Sequence, residues 1–469
     1  MTGRTIVALQ PGFDGGAAFV SIRRAPASIP DAEKLGSFDC SVDQMPAWST
    51  PNAVKAHGAT IWSKLAAHPP VRKALEYALA SPQEVRPIYF LVNAAGAERL
   101  SWESLCDGQG NFLALDPRWP IGRIAESTVD QTAPPPDFAP PLRLMAVLSA
   151  LKVDAAEQWQ KLRGAVLKAR ANALDIEVKV VVGQEELQDD IQADIAAGTL
   201  AGASVHPMPL DLVGFDDLLS GFAPHILHFF CHGVVGFGSA ELQLGTVNDW
   251  AQGTAVASLK LPVSQLRLLP ALQRVWLVVL NCCSSGQPAG ELHSMAHDLV
   301  ASGVPAAVGM IEPVGAADAD TFTESFYDAL FARLREALGP QNPDPFVEID
   351  WSVTLHRPRL RLVAGHDGNP ENARQWLVPA LYTQLEPFRV RRSAPAVPVY
   401  GGPPPTAPLP QPADLDAVAQ RRARAETVAG MLRILGPDTP MEARFEILDL
   451  LADLPPSMRP DAYGRFATG

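Results

Sequence analysis

The sequence predicts an α/β fold: a mainly parallel sheet with helices on both faces, followed by a small C-terminal helical module. Three observations carry this expectation. Runs such as "VKVVVG" and "VWLVVL" are continuously apolar, as strands buried on both faces must be. Amphipathic stretches of helical period separate them. Composition then shifts near residue 393 to the Pro/Gly-rich stretch "SAPAVPVYGGPPPTAPLPQP", which reads as an extended spacer.

The elements follow in order. "RTIVALQPG" and "VRPIYFLVNA" read as strands within the first 100 residues. "PLRLMAVLSAL" (141–151) is a third strand, with a helix expected around Glu157–Leu174. "IEVKVVVG" (176–183) and a helix around Glu185–Ala197 repeat the unit. "PHILHFFCHG" (224–233) and "VWLVVLNCCSSG" (275–286) are the next strands. "ELHSMAHDLVASG" sets Leu292, Met295, Ala296, Leu299 and Val300 on one helix face, and Gly303 closes it. "PAAVGMI" reads as another buried strand. "TFTESFYDALFARLREALGP" spaces Phe322, Phe326, Leu330, Leu334 and Leu338 along a helix that Gly339 and Pro340 end. The polar, turn-rich segment Pro340–Arg374 reads as a surface insertion, with a specificity or activation loop as the functional alternative. Past the spacer, "DLDAVAQRRARAETVAGMLRILG" and "PMEARFEILDLLADLP" read as two helices.

Composition narrows the function classes. The chain has 469 residues, 47% of them hydrophobic, enough for a sizeable globular core. Its formal charge of -13 argues against coating nucleic acid, which needs a basic face. The apolar runs are far shorter than the ~20 residues that span a membrane, and the first residues carry no signal-peptide core. Five cysteines (Cys40, Cys106, Cys231, Cys282, Cys283) form a sparse, odd set that suits a reducing compartment. The cytoplasm is the expected location, with no membrane insertion.

Several motifs fail on chemistry. His293 and His297 stand four apart on one helix, as in zinc proteases, but Ser294 occupies the place of the required glutamate. No metal is expected. Gly236–Gly238 lacks the third glycine of a dinucleotide loop, and no phosphate-binding loop is present. No cofactor is implied.

A Cys/His pair remains. Two apolar strands end in reactive residues, one at His232-Gly233 and one at Cys282-Cys283, and 51 residues separate His232 from Cys283. In open α/β sheets reactive groups gather at the carboxyl ends of strands. If these strands are neighbours, a thiol and an imidazole face one another. A nearby histidine lowers a cysteine's pKa and later protonates the leaving amine. Backbone amides of Gly233 and Cys283 are the candidate oxyanion hole. Each piece alone reads equally as core, since free cysteine is commonly buried.

The ordered set of segments resembles the CHAT domain, a caspase-like and separase-like branch of the clan CD cysteine peptidases. "LSWESLCDGQGNFLALDPRWPIGR" (100–123), "HILHFFCHG", "LNCCSSG", "LVASGVPAAVGM" and "WLVPALY" (376–382) carry the likeness, over roughly residues 1–387. The resemblance chooses between the two cysteines. The family's alanine falls on Cys282, expected to pack into the sheet, and its nucleophile on Cys283; His232 takes the catalytic histidine's role. His228, on the same strand face, reads as structural. Relatives that cut after Arg or Lys carry an acid two before the nucleophile; here it is the neutral Asn281. Asn281 and Asp298 are the candidate substrate-pocket residues.

The expected layout is residues 1–135 as an N-terminal noncatalytic part, 136–387 as the caspase-like catalytic part, 388–412 as the linker and 413–469 as a helical adaptor module. The resemblance implies a cysteine endopeptidase acting on a protein partner encoded nearby. It further implies an effector of a bacterial defence or conflict system, with a pore-forming protein as one substrate class. The tail would bind an adaptor or sensor. Two rivals stand beside this reading: a catalytically silent scaffold recruiting partners through its tail, and a thiol redox sensor built on Cys282 and Cys283.

Overall fold

The computed structural model describes residues 3–11, 18–38, 53–80, 83–93, 97, 100–127, 134–236, 239–283, 292–312, 314–342 and 344–392. The chain divides into two compact units, residues 1–395 and 396–469. The break falls inside the expected linker. The helical module expected at 413–469 lies outside the described residues.

The first unit opens with β1 (Thr5–Pro11), β2 (Ala18–Arg24) and β3 (Gly36–Phe38), an antiparallel edge. Helices α1 (Ala53–Ala66) and α2 (Pro69–Leu79) lead to β4 (Ile88–Val92), β5 (Ile121–Ile124) and the short β6 (Asp137–Phe138). Strand and helix then alternate through β7 (Leu142–Leu148), α3 (Ala156–Ala171), β8 (Ile176–Val182), α4 (Glu185–Ala196), β9 (Ala203–Pro207) and α5 (Leu212–Phe222). Next come β10 (Ile226–Gly236), β11 (Ser239–Leu244), α6 (Val247–Gln252), β12 (Leu259–Pro262) and α7 (Val263–Leu266). The set closes with β13 (Leu277–Cys283), α8 (Leu292–Ala301), β14 (Ala306–Met310), α9 (Ala316–Leu338), β15 (Phe346–Ile349), α10 (His356–Gly365), β16 (Pro379–Thr383) and β17 (Phe388–Arg392).

Most of these strands share one sheet, in the order β3-β2-β1-β4-β5-β16-β14-β13-β10-β7-β8-β9, with β11 and β12 branching from β10. The path β14-β13-β10-β7-β8-β9 is parallel throughout. β16 runs antiparallel to β14 but parallel to β5. The N-terminal strands therefore extend the same sheet in the opposite direction. Residues 1–135 contribute β1 to β5, one end of this sheet, and not a separate body.

Period-two alternation divides the core into two layers. On β10, Leu227, Phe229 and Cys231 face the layer that also buries Phe215, Leu219, Met295 and Leu299. Ile226 and Phe230 face the other layer, with Trp159 and Leu162 of α3 and Phe322, Phe326 and Leu330 of α9. Helices thus cover both faces, as the continuous apolar runs require. The chain winds outward from β7 to β9 and then returns to β10 beside β7. Such a switch point is where loops at the carboxyl ends diverge and leave a crevice.

Three expectations need correction. The segment 340–374 is no surface insertion: it supplies β15 and α10 and buries Trp351, Leu355 and Leu362. Its apolar residues are too widely spaced to show a period. The linker does not begin at 388, because β17 pairs there with β15 and β6 and buries Val390. Strand β10 does not stop at Gly233 but runs to Gly236 as a hairpin with β11; glycine there ends neither the extended backbone nor its pairing.

One buried ion pair joins the halves of the sheet. Arg123 on β5 donates to both carboxylate oxygens of Glu103, at 3.0 and 2.6 Å, and to the Tyr382 hydroxyl on β16 at 3.2 Å. Arg123 and Glu103 are fully buried. Removing one partner leaves an uncompensated buried charge. Glu103→Ala should therefore destabilise the fold by about 3–5 kcal/mol, read as a lowered urea midpoint.

Candidate functional site

β10 and β13 lie side by side, with Ile226 opposite Leu277 and each following residue in step. The last rung of this ladder pairs His232 with Cys283. Two sequence-distant strands thus bring the expected histidine and the expected cysteine to one level. Beyond that rung β10 continues with β11, where Gly233 pairs with Leu242. Gly233 and Cys283 therefore adjoin at the ladder's end. The side chain of Cys283 lies outside the described residues.

His232 is nearly buried and its Nε2 sits 2.5 Å from the carbonyl oxygen of Leu151. A carbonyl can only accept, so Nε2 carries the proton and Nδ1 is the nitrogen able to take one. This third component, the carbonyl, was not read from sequence, because any residue can supply a backbone oxygen.

The Leu151 turn is held by its neighbours. Ser149 donates its amide to Phe230 O and its hydroxyl to Gly245 O, while Gly245 returns its amide to Ser149 O. Gly183 closes the cluster: a Cβ there would stand 2.3 Å from Gly245 O and 3.0 Å from Ser149 Oγ. Gln184 accepts the Ala155 amide and donates to Asp154, tying the end of β8 to the start of α3.

The other singled-out residues divide by face. Cys282 and Cys231 are buried, and their Sγ atoms are 3.9 Å apart. Cys282 is therefore a core residue facing the layer opposite α3 and α9. His228 is fully buried, accepts from the Gln158 amide at 3.2 Å on Nε2, and stacks edge-on against Tyr327. Burial pushes its pKa down to about 3, so it stays neutral. Nothing here resembles a proton-transfer group open to substrate.

Neither candidate pocket residue is joined to His232 by the described contacts. Asn281 is fully buried, and its amide donates to Ala319 O at 3.1 Å and to Thr323 Oγ1 at 2.9 Å. A residue that anchors β13 to α9 in this way does not line an open pocket. That expectation is corrected: position 281 lies within the sheet–helix layer, below the ladder's end. Asp298 projects from α8 with its carboxylate 3.1 Å from Nδ1 of His297. The His297 ring also meets Tyr382 edge-on.

Among known families, one model matches the chain: the CHAT domain, over residues 55–340. No curated protein matches the chain.

Two predictions follow from this geometry. Gly183→Ala should displace the Leu151 turn, with a stability loss of about 1–3 kcal/mol from overpacking, read as a lowered urea midpoint. The second concerns acid. His225, like His228, is lowered to about 3, chiefly by burial and further by Arg143. A depressed histidine contributes stability that is full above its unfolded pKa near 6.5 and is lost as pH falls toward 3. Asp320 opposes with one proton, since burial and Glu157 push it up to about 6. Stability should therefore fall as pH drops from 7 to 5. Each histidine contributes a slope of about 1.4 kcal/mol per pH unit below 6.5, measurable as urea midpoints at each pH.

Proposed function

Because the chain belongs to the CHAT-domain family, we propose that it is a cysteine endopeptidase in which Cys283 is the nucleophile and His232 the acid/base. One observation carries the reading: the ladder rung that sets Cys283 beside His232, whose Nε2 is already committed to Leu151 O. In this mechanism Nδ1 takes the Cys283 proton, and the thiolate attacks the scissile carbonyl. The backbone amides of Gly233 and Cys283 stabilise the oxyanion. The imidazolium then protonates the leaving amine, and the thioester is hydrolysed by a water that His232 deprotonates. No metal or cofactor takes part in any of these steps.

The substrate is a protein, and its encoding beside this chain, with a pore-forming protein as one class, rests on family association alone. A defence effector of bacterial origin and cytoplasmic location belong to the same proposal, as does recruitment through residues 413–469. The sparse cysteines support the location. No helix among the described residues is long and apolar enough to cross a membrane. Specificity is not assigned to Asn281, whose amide is buried against α9.

The test is to incubate wild type, Cys283→Ala and Cys282→Ala with lysate and neighbouring gene products, then map new peptide N-termini. Wild type and Cys282→Ala should produce the same cleavages. Cys283→Ala should lose at least about 1,000-fold in rate. A biological effect that persists in full in Cys283→Ala would instead support a scaffold. An oxidised 282–283 pair, with activity unchanged in His232→Ala, would support a redox sensor.

A further inference from the structure

A polar cluster interrupts the apolar layer between the sheet and helices α3 and α9. Thr323 of α9 receives two amides on one hydroxyl oxygen: Asn281 Nδ2 at 2.9 Å and Gln158 Nε2 at 2.5 Å. The same Gln158 amide donates its second hydrogen to His228 Nε2 at 3.2 Å. Asn281 also donates to Ala319 O, one turn earlier on α9. All four side chains are buried, amid Trp159, Phe322, Phe326 and Tyr327.

Such a cluster is a poor source of stability. Several of its atoms, including Asn281 Oδ1, Gln158 Oε1 and His228 Nδ1, have no hydrogen-bond partner among the described residues. Apolar residues of similar volume would cost less desolvation. What the cluster does supply is geometry. Each of its anchors on β13, β10 and α3 lies on, or directly after, a segment that carries one component of the proposed site. Asn281 stands two residues before Cys283 on β13. His228 stands four residues before His232 on β10. Gln158 lies in the first turn of α3, just after the connection whose Leu151 carbonyl holds His232.

We propose that Thr323, acting with Gln158, is a positioning residue that sets the Cys283, His232 and Leu151 components at a common height. This rests on the reading of Cys283 as nucleophile. The hydroxyl is the shared point: one oxygen meets β13 directly and meets β10 and α3 through one amide. Without it, the β10–β13 ladder and the hydrogen bonds of the Leu151 turn remain, but the polar link that fixes α3 and α9 against the ends of both strands is lost, and apolar packing of those helices tolerates sub-ångström sliding that a thiolate–imidazolium pair does not.

The experiment needs no substrate. Full-length wild type, Thr323→Val, Thr323→Ser and Gln158→Met are alkylated with iodoacetamide from pH 5 to 9. Modification at Cys283 is quantified by mass spectrometry, and folding is checked by circular dichroism and urea titration. Wild type should alkylate with an apparent pKa below the ordinary thiol range. Thr323→Val should lose about tenfold in rate at pH 7 and shift its profile up by about one unit, with Thr323→Ser restoring both. Gln158→Met, which cuts the α3 and β10 links but leaves Asn281 bonded, should show a shift of the same sign and provides the readout if Thr323→Val does not fold. A folded Thr323→Val, or failing that a folded Gln158→Met, whose profile overlays wild type would overturn the inference alone. An ordinary thiol profile in wild type would overturn the nucleophile reading and this inference with it.

Discussion

The register between β10 and β13 is the constraint on which the rest depends. Seven consecutive rungs run from Ile226 opposite Leu277 to His232 opposite Cys283. A slip of one residue would set His232 against Cys282 and exchange the faces of every side chain on one strand. Both strands are buried on both faces, so such a slip would drive either Phe229 and Phe230 of β10 or Leu280 of β13 into the wrong layer. Ordinary core packing thereby protects the pairing of the two reactive positions.

The same alternation separates chemistry from structure. Cys231 and Cys282 precede His232 and Cys283 and face the opposite layer, where their thiols meet at 3.9 Å. A buried cysteine in apolar surroundings packs as a small hydrophobe. The tandem cysteines are thus one core residue and one strand-end residue. Their adjacency follows from the pleat.

Around this rung the surrounding elements act as braces. The Leu151 turn is pinned by Ser149, Gly245 and Gly183. The helix layer is pinned through Thr323, Gln158 and Asn281. Farther out, Arg123 and Glu103 bind the reversed N-terminal strands to β16, which abuts β14 and hence β13. The family match over residues 55–340 begins in α1 and spans both the reversed half and the parallel half.

The sequence by itself determined the strands β1, β4, β7, β8, β10, β13 and β14, with helices α3, α4, α8 and α9, because strands buried on both faces must be continuously apolar and helices covering them must carry a stripe. It marked His232 and Cys283 because reactive residues stood at the ends of such runs. Tertiary structure alone decided the rest. The strands β15, β16 and β17 are short, and their burial depends on partners far away in the chain. The Leu151 carbonyl carries no sequence signature, since every residue has one. The burial of Asn281 also has no sequence signature, because a polar residue near a strand end faces solvent or a helix according to pleat and layer. Here the neighbouring oxygens of Thr323 and Ala319 on α9 draw its amide inward.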